Sequence, residues 1–374
     1  MTTGTGDGPF TMALTTLLRP KMLRTLVSLA REARRAGQPW DHLMDSGTIT
    51  ARQIVRAHPS RWGLPAESEV TGDRLVEDPA LLAALAGRDA GDWRAVERLL
   101  TEVGADWERR AYCVKVLTEH DTPDDAAWLR AWLRARPESA DAITARAYWL
   151  VHQAWVLRGS ALAAQTTDEQ FAGFHQVLEA AYERAEEATR LAPDDPTPWC
   201  LLVLVSRGLG VGREPFRRFW DNLVERAPAH RYGHDHALQY WRPHWSGSYP
   251  EMFDFAERAA ASSPALSALP LRAALEADEG TEGAFRTAEV ARAVDATTAW
   301  LDSGKAFPPH ALTDRSLLAL ALVRAGRAEE AVEQFRVLGR QVDDVVWGRI
   351  EGRPRDGFLR TRATAYRQVR PTAR

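Results

Sequence analysis

The stretch Leu191–Leu266, LAPDDPTPWCLLVLVSRGLGVGREPFRRFWDNLVERAPAHRYGHDHALQYWRPHWSGSYPEMFDFAERAAASSPAL, decides how this chain folds. It writes one helical-hairpin pattern twice, with Pro193, Pro228 and Pro264 spaced 35 and 36 residues apart. Each proline follows one amphipathic run and precedes another. Proline stops a helix because it lacks a donor N–H, and it suits the entry to the next helix. A period of about 34 residues is that of stacked helix pairs, which bury their apolar faces between neighbours.

The register can be followed outward. With Pro137, Pro193, Pro228 and Pro264 as origins, Leu129, Ala185, Trp220 and Ala256 stand eight residues before. Trp132, Ala188, Leu223 and Ala259 stand five before, and Ala147, Val203, Leu238 and Ala274 ten after. All twelve are apolar, as the interior face of packed helices requires. From Pro137 to Pro193 is 56 residues, and the surplus over one period falls at Arg158–Gly173, read as a long loop. ALLAALAGRDAGDWRAVERLLTEVG predicts a hairpin turning at Gly87–Gly91. No segment alternates with β-branched residues, so no sheet is expected.

Residues 12–36 read as one basic helix or two, with Pro20 as a break or a restart, 41–57 as another helix, and His58–Asp78 as a linker. Towards the other end, Glu289–Asp302, Thr313–Arg324 and Ala328–Leu338 are expected helices, with SGKAFPPH closing the first. A basic helix follows GRIEGRPRDG. The reading is therefore all-α, an antiparallel helix-hairpin solenoid. Residues 1–75 form a basic helical segment with its linker, 76–340 the repeats, and 341–374 a basic cap.

This pattern resembles the tetratricopeptide repeat. Trp199, Leu202, Phe219 and Pro228 match that family's order of early aromatic, crossing residue, second-helix aromatic and closing proline. Gly326, Ala331 and Phe335 match the second-helix half. His234 stands where Trp199 stands one repeat earlier, and Pro215 and Ser246 replace expected small helical residues. The resemblance covers about residues 104–340 and implies a fold, with a concave groove lined by the first helix of each repeat. The Trp-Ser-Gly-Ser segment is also similar to bacterial families of unknown function with tetratricopeptide-like folds.

The chain has 374 residues, 45% hydrophobic and 26% charged, a composition that excludes wholesale disorder. Its net charge of −3 argues against a dedicated nucleic-acid binder. Residues 19–61 and 349–374 each carry +6, which leaves −15 for the remainder of the chain, nearly all of it between them. The basic ends read as solvated arginine-rich helix faces or as electrostatic contacts. Cys113 and Cys200 lie in apolar patterns and make neither a disulfide framework nor a zinc quartet. Phe10–Leu18 is followed, not preceded, by basic residues, the reverse of a signal peptide. No apolar run approaches a membrane span. A cytoplasmic protein without membrane contact is the expectation.

Four histidines, His230, His234, His236 and His244, fall among Trp241 and Trp245. A metal held by His230, His234 and His244 is one reading, but residues two apart on a helix point to opposite sides. Asp121, Asp124 and Asp125 are similar to an aspartate-rich metal motif of terpene cyclases; they read as readily as the first turn of a capped helix. No GxGxxG, phosphate loop, GxSxG or HExxH occurs, and no cofactor is expected. The expected groove face carries Asp141, Tyr148 and His152, then Arg207, then Tyr232, Asp235, Gln239 and Arg242, with Trp241 and Trp245 beside it. Such groups suit a protein or peptide segment, and equally an ordinary solvated surface. The leading expectation is a non-catalytic interaction module. The alternative is an enzyme whose pocket is built around His230–Trp245.

Overall fold

The computed structural model describes residues 59–71, 78–119, 126–159, 167–278, 283–351 and 353–369. The expected N-terminal helices, the Asp121–Asp125 motif and most of the Arg158–Gly173 loop lie outside the described residues. The described residues are helical, and the one β-type contact among them is an isolated parallel bridge between Thr71 and Gln341. They fall into two compact units, one spanning Leu75–Ala321 and the other combining residues up to Arg74 with Leu322–Arg374.

The larger unit holds α1 (Pro79–Asp89), α2 (Trp93–Val103), α3 (Trp107–Thr118), α4 (Ala127–Ala135) and α5 (Ala140–Arg158). It continues with α6 (Asp168–Leu191), α7 (Pro196–Gly208), α8 (Arg213–Arg226), α9 (Arg231–Tyr240) and α10 (Tyr249–Ser262). Helices α11 (Leu269–Ala277), α12 (Ala288–Asp302) and α13 (Pro308–Arg324) complete it, although the last residues of α13, from Leu322, group with the smaller unit. The prolines at 137, 193 and 228 act as the sequence suggests. Two residues after each stands an N-cap: Ser139 accepts from Ala142 N–H, Asp195 from Thr197 N–H and His230 from Gly233 N–H. Each cap satisfies one of the donors a helix start leaves free.

Helix α6 begins earlier than expected. Its first residues were read as the end of a loop, but Thr167 and Gln170 form a reciprocal capping box that starts the helix there. Likewise Pro308 and His310, read as a closing turn, belong to the first turn of α13.

Helices α5 and α6, α7 and α8, and α9 and α10 pack as consecutive pairs. The first helix of each pair also packs on the next first helix, giving the succession α5, α7, α9, α11. Eleven of the twelve apolar register positions are buried; Trp220 is half-buried between His234 and Phe255. Where α9 crosses α8, a Cβ at Gly233 would come within 2.4 Å of the Leu223 side chain, so glycine sets how closely those helices approach. One helix breaks the pairwise pattern: α3 packs on α5, α7 and α9 at once.

In the smaller unit, α14 (Ala328–Leu338), α15 (Asp344–Glu351) and α16 (Pro354–Gln368) enclose Phe335, Trp347 and Phe358, with ring centroids 5.3–5.8 Å apart. Two short 3-10 turns, Pro59–Trp62 and Glu67–Glu69, lie against them. The basic residues of this end are spent on that contact. Arg362 donates to Pro65 O at 3.0 Å, Arg355 to Val70 O at 3.0 Å and Glu67 O at 2.6 Å, and Arg340 pairs with Glu69 at 2.6 Å.

Leu238→Ala removes a fully buried side chain from the shared interior of the larger unit. The expected loss of unfolding free energy is about 2–5 kcal/mol, measured by chemical denaturation followed by circular dichroism. A loss below about 1 kcal/mol would mean that this position does not face a common interior.

Candidate functional site

The first-helix face of the larger unit carries two charged groupings that behave differently. The first is built where α3 crosses α5, α7 and α9. Arg110 on α3 donates to Asp195 at 2.8 Å and to Leu100 O at 2.9 Å, and it also pairs with Asp141. Glu108 accepts the Arg231 backbone N–H at 2.8 Å and faces His310 Nε2 at 2.7 Å. Burial by itself would raise the Glu108 carboxyl. The His310 contact and the charges of His230 and His310 outweigh it and pull the value down to about 2. Arg231 is buried, pairs with Asp314 on α13, and lies 3.3 Å from Asp235. Burial works against its charge, but Asp235 and Asp314 together raise its pKa and hold it ionised.

The second grouping lies where α7, α9 and α11 adjoin. Glu276 is buried and accepts on both oxygens. Oε1 takes Gln239 at 2.8 Å and the Arg272 Nε at 3.0 Å, and Oε2 takes Arg242 at 3.0 Å. Arg242 also donates to Gln239 Oε1 at 2.9 Å. Arg207 stands beside this set without a carboxylate among the described residues. Its guanidinium carbon lies 5.1 Å from the centre of the Trp155 ring, and its covered Nε has no acceptor. Desolvation, then the nearby charges of Arg242 and Arg272, push its pKa down to about 10 against the pull of Glu276. The residue nonetheless keeps some solvent access. His236 is enclosed close by. Burial first, then Arg207 and Lys115, hold its pKa well below 6.5, so its imidazole is neutral at pH 7.

Trp155 also meets Trp245 edge to face at 6.4 Å. The turn that carries Trp245 closes through Trp245 N–H to Arg242 O and Ser246 N–H to Tyr240 O, at 3.0 and 3.1 Å. Gly247 is required there, since a Cβ would stand 2.2 Å from Trp241 O.

The residues singled out from sequence therefore divide. Arg207, Gln239, Arg242 and Trp245 come together in the second grouping. Asp141, Tyr148, Tyr232 and Asp235 do not join them. Asp141 serves Arg110, Tyr148 is buried with its hydroxyl 3.8 Å from Cys200, Tyr232 packs on the His310 ring at 4.7 Å, and Asp235 serves Arg231. The periodicity placed these residues on the right helices, but α3 and α13 cover that end of the face. Trp241 is held between Phe216 and Tyr240, and His152 keeps a covered Nε2 without a partner. The histidine trio is not gathered either: His230 caps α9, His234 packs against Trp220, and His244 is exposed. Among the described residues no group of three or more His, Cys, Asp or Glu is placed to hold a metal ion. The sequence reading missed Trp155, Arg272 and Glu276, and named His236 in the histidine cluster but not on the groove face. The i,i+4 spacing of Arg272 and Glu276 was the available signal for the last two.

Residues 97–215 match a family model described as a domain of unknown function, DUF4034. The match takes in Arg207 and Trp155 but stops short of Arg242, Arg272 and Glu276. No curated protein matches the chain. No helix among the described residues is long and apolar enough to cross a membrane.

Two outcomes test the first grouping. His234 is held neutral by burial, with its pKa lowered to about 4, so the stability it contributes falls as pH drops from 6.5 towards 4. Glu108, depressed to about 2, contributes stability above pH 4.5 that is lost as pH falls towards 2. Thermal melts across pH 2–7 are expected to decline in both windows, and Glu108→Gln to flatten the lower one. Asp314→Asn leaves the buried Arg231 charge with Asp235 alone and is expected to remove up to about 3–5 kcal/mol of stability, by the same denaturation measurement.

Proposed function

We propose that this chain is a helical-repeat module of tetratricopeptide-like build. In this reading it binds, without chemistry, an acidic segment of a protein partner on the face carried by α7, α9 and α11. The succession of first helices at a 35-residue period supports the repeat reading, as do the caps two residues after successive prolines. One observation carries the binding reading: Arg207 is surrounded by protein, open to solvent in part, and has no carboxylate partner among the described residues. Buried charges in folded chains are paired. An arginine left unpaired beside two others suits an acidic group supplied from outside.

The site differs from the groove expected from sequence in extent. Asp141, Tyr148 and Tyr232 are engaged inside the unit, and the partner face narrows to Arg207, Gln239, Arg242 and Trp245, with Arg272 and His236 added.

The test uses two fluorescein-labelled peptide pools of equal length, one rich in Asp and Glu and one neutral, read by anisotropy against the full chain. The acidic pool is expected to bind at least ~10-fold more tightly, and Arg207→Met to remove about that preference, close to 1.4 kcal/mol. Equal binding of the two pools, or a preference untouched by Arg207→Met, would sink the reading.

A further inference from the structure

The charges around Arg207 specify the acidic group more closely, on the reading just proposed. Arg207, Arg242 and Arg272 face one another's fields, and among the described residues Glu276 is the carboxylate that pairs with two of them. Three guanidinium charges against one carboxylate leave two positive charges. A ligand carboxylate would cancel one of them. A phosphomonoester carries about −1.5 to −2 at pH 7 and would cancel both.

Donor geometry points the same way. Glu276 accepts from Gln239, Arg272 and Arg242, and Arg207 is not among these donors. Arg207 meets only the face of Trp155, which answers its charge weakly and leaves its N–H donors unused. A guanidinium is a planar fork of donors, and its best-matched acceptors are the paired oxygens of phosphate or carboxylate. The neutral imidazole of His236 keeps one N–H to donate without adding charge. Arg207, near the end of α7, and Arg242, in the turn that follows α9, also stand one repeat apart, 35 residues. The repeat itself therefore brings two arginines near one another.

We propose that Arg207, with Arg242 and Arg272, forms a recessed site for the phosphoryl group of a phosphomonoester. The ester is either a small phosphorylated molecule or a phosphorylated residue in a partner segment. A structural arginine and a ligand arginine differ in what their loss does. Arg207→Met removes a desolvated charge that no carboxylate among the described residues pairs with, so the ligand-free protein becomes more stable while the site is lost.

The experiment measures melting temperature and binding on the full chain. The probes are inorganic phosphate, free O-phosphoserine, a phosphoserine peptide, and the same peptide with Glu in place of phosphoserine. The expected results are a phosphate-dependent rise in melting temperature and at least ten-fold tighter binding of the phosphoserine peptide than of the Glu peptide. Arg207→Met should abolish both and raise the ligand-free melting temperature by about 2 °C or more. Arg207→Lys should keep the charge but lose most of the preference for phosphoserine over Glu. Competition by free O-phosphoserine as strong as that by the peptide assigns the site to small esters, and competition by the peptide alone assigns it to a partner segment; either sustains the phosphoryl group. If the Glu peptide binds as tightly as the phosphoserine peptide, the phosphoryl inference is overturned and the acidic-segment reading stands. If no probe binds and Arg207→Met lowers the ligand-free melting temperature, both fall and Arg207 is a packing residue.

Discussion

A guanidinium taken out of water must be answered by an anion, and the larger unit is arranged around that requirement. Arg231, at the start of α9, is buried, and its charge is met by Asp314 from α13 and Asp235 from its own helix. Its backbone N–H is met in turn by Glu108 from α3, which also faces His310. Three helices far apart in sequence are thereby tied at one point. Arg110 repeats the device with Asp141 and Asp195, fastening α3 to the starts of α5 and α7. Such pairs add little over an apolar core of equal volume, but losing one partner is costly. Their role is to specify which helices meet.

Arg207 is conspicuous against that background. It sits on the same succession of first helices, is half-buried where Arg231 is buried, and meets a tryptophan with no paired acid among the described residues. The contrast separates the two ends of the face. One end is closed by α3 and α13 with all its charges matched. The other keeps an excess of positive charge around Glu276. A chain under selection for stability alone would neutralise such a site or make it apolar, so an unmatched enclosed charge is a reasonable mark of function.

The helical character, the hairpin turn at Gly87–Gly91 and the burial of Leu129, Ala147, Val203 and Leu238 were legible in the sequence. Each rests on a local rule: proline cannot continue a helix, and a 3.6-residue period defines an apolar face. The start of α6 was misplaced because the surplus over one repeat period was assigned to a loop as far as Gly173, and Thr167 and Gln170 were not read as a capping box. Half of the candidate site was legible for the same periodic reason. Arg207 and Gln239 fall on first helices and Arg242 just past the end of one, and the register finds them without knowing how the helices pack.

The sequence by itself determined where helices begin and end and which side of each turns inward, because those follow from interactions within a few residues. The tertiary structure alone decided that α3 lies across α5, α7 and α9, and that Asp141, Tyr148 and Tyr232 are consumed there. It also decided that Glu276 is spent on Arg242 and Arg272, leaving Arg207 without a carboxylate. Whether a charge is matched depends on groups brought close by packing across dozens of residues. No local pattern records that distance.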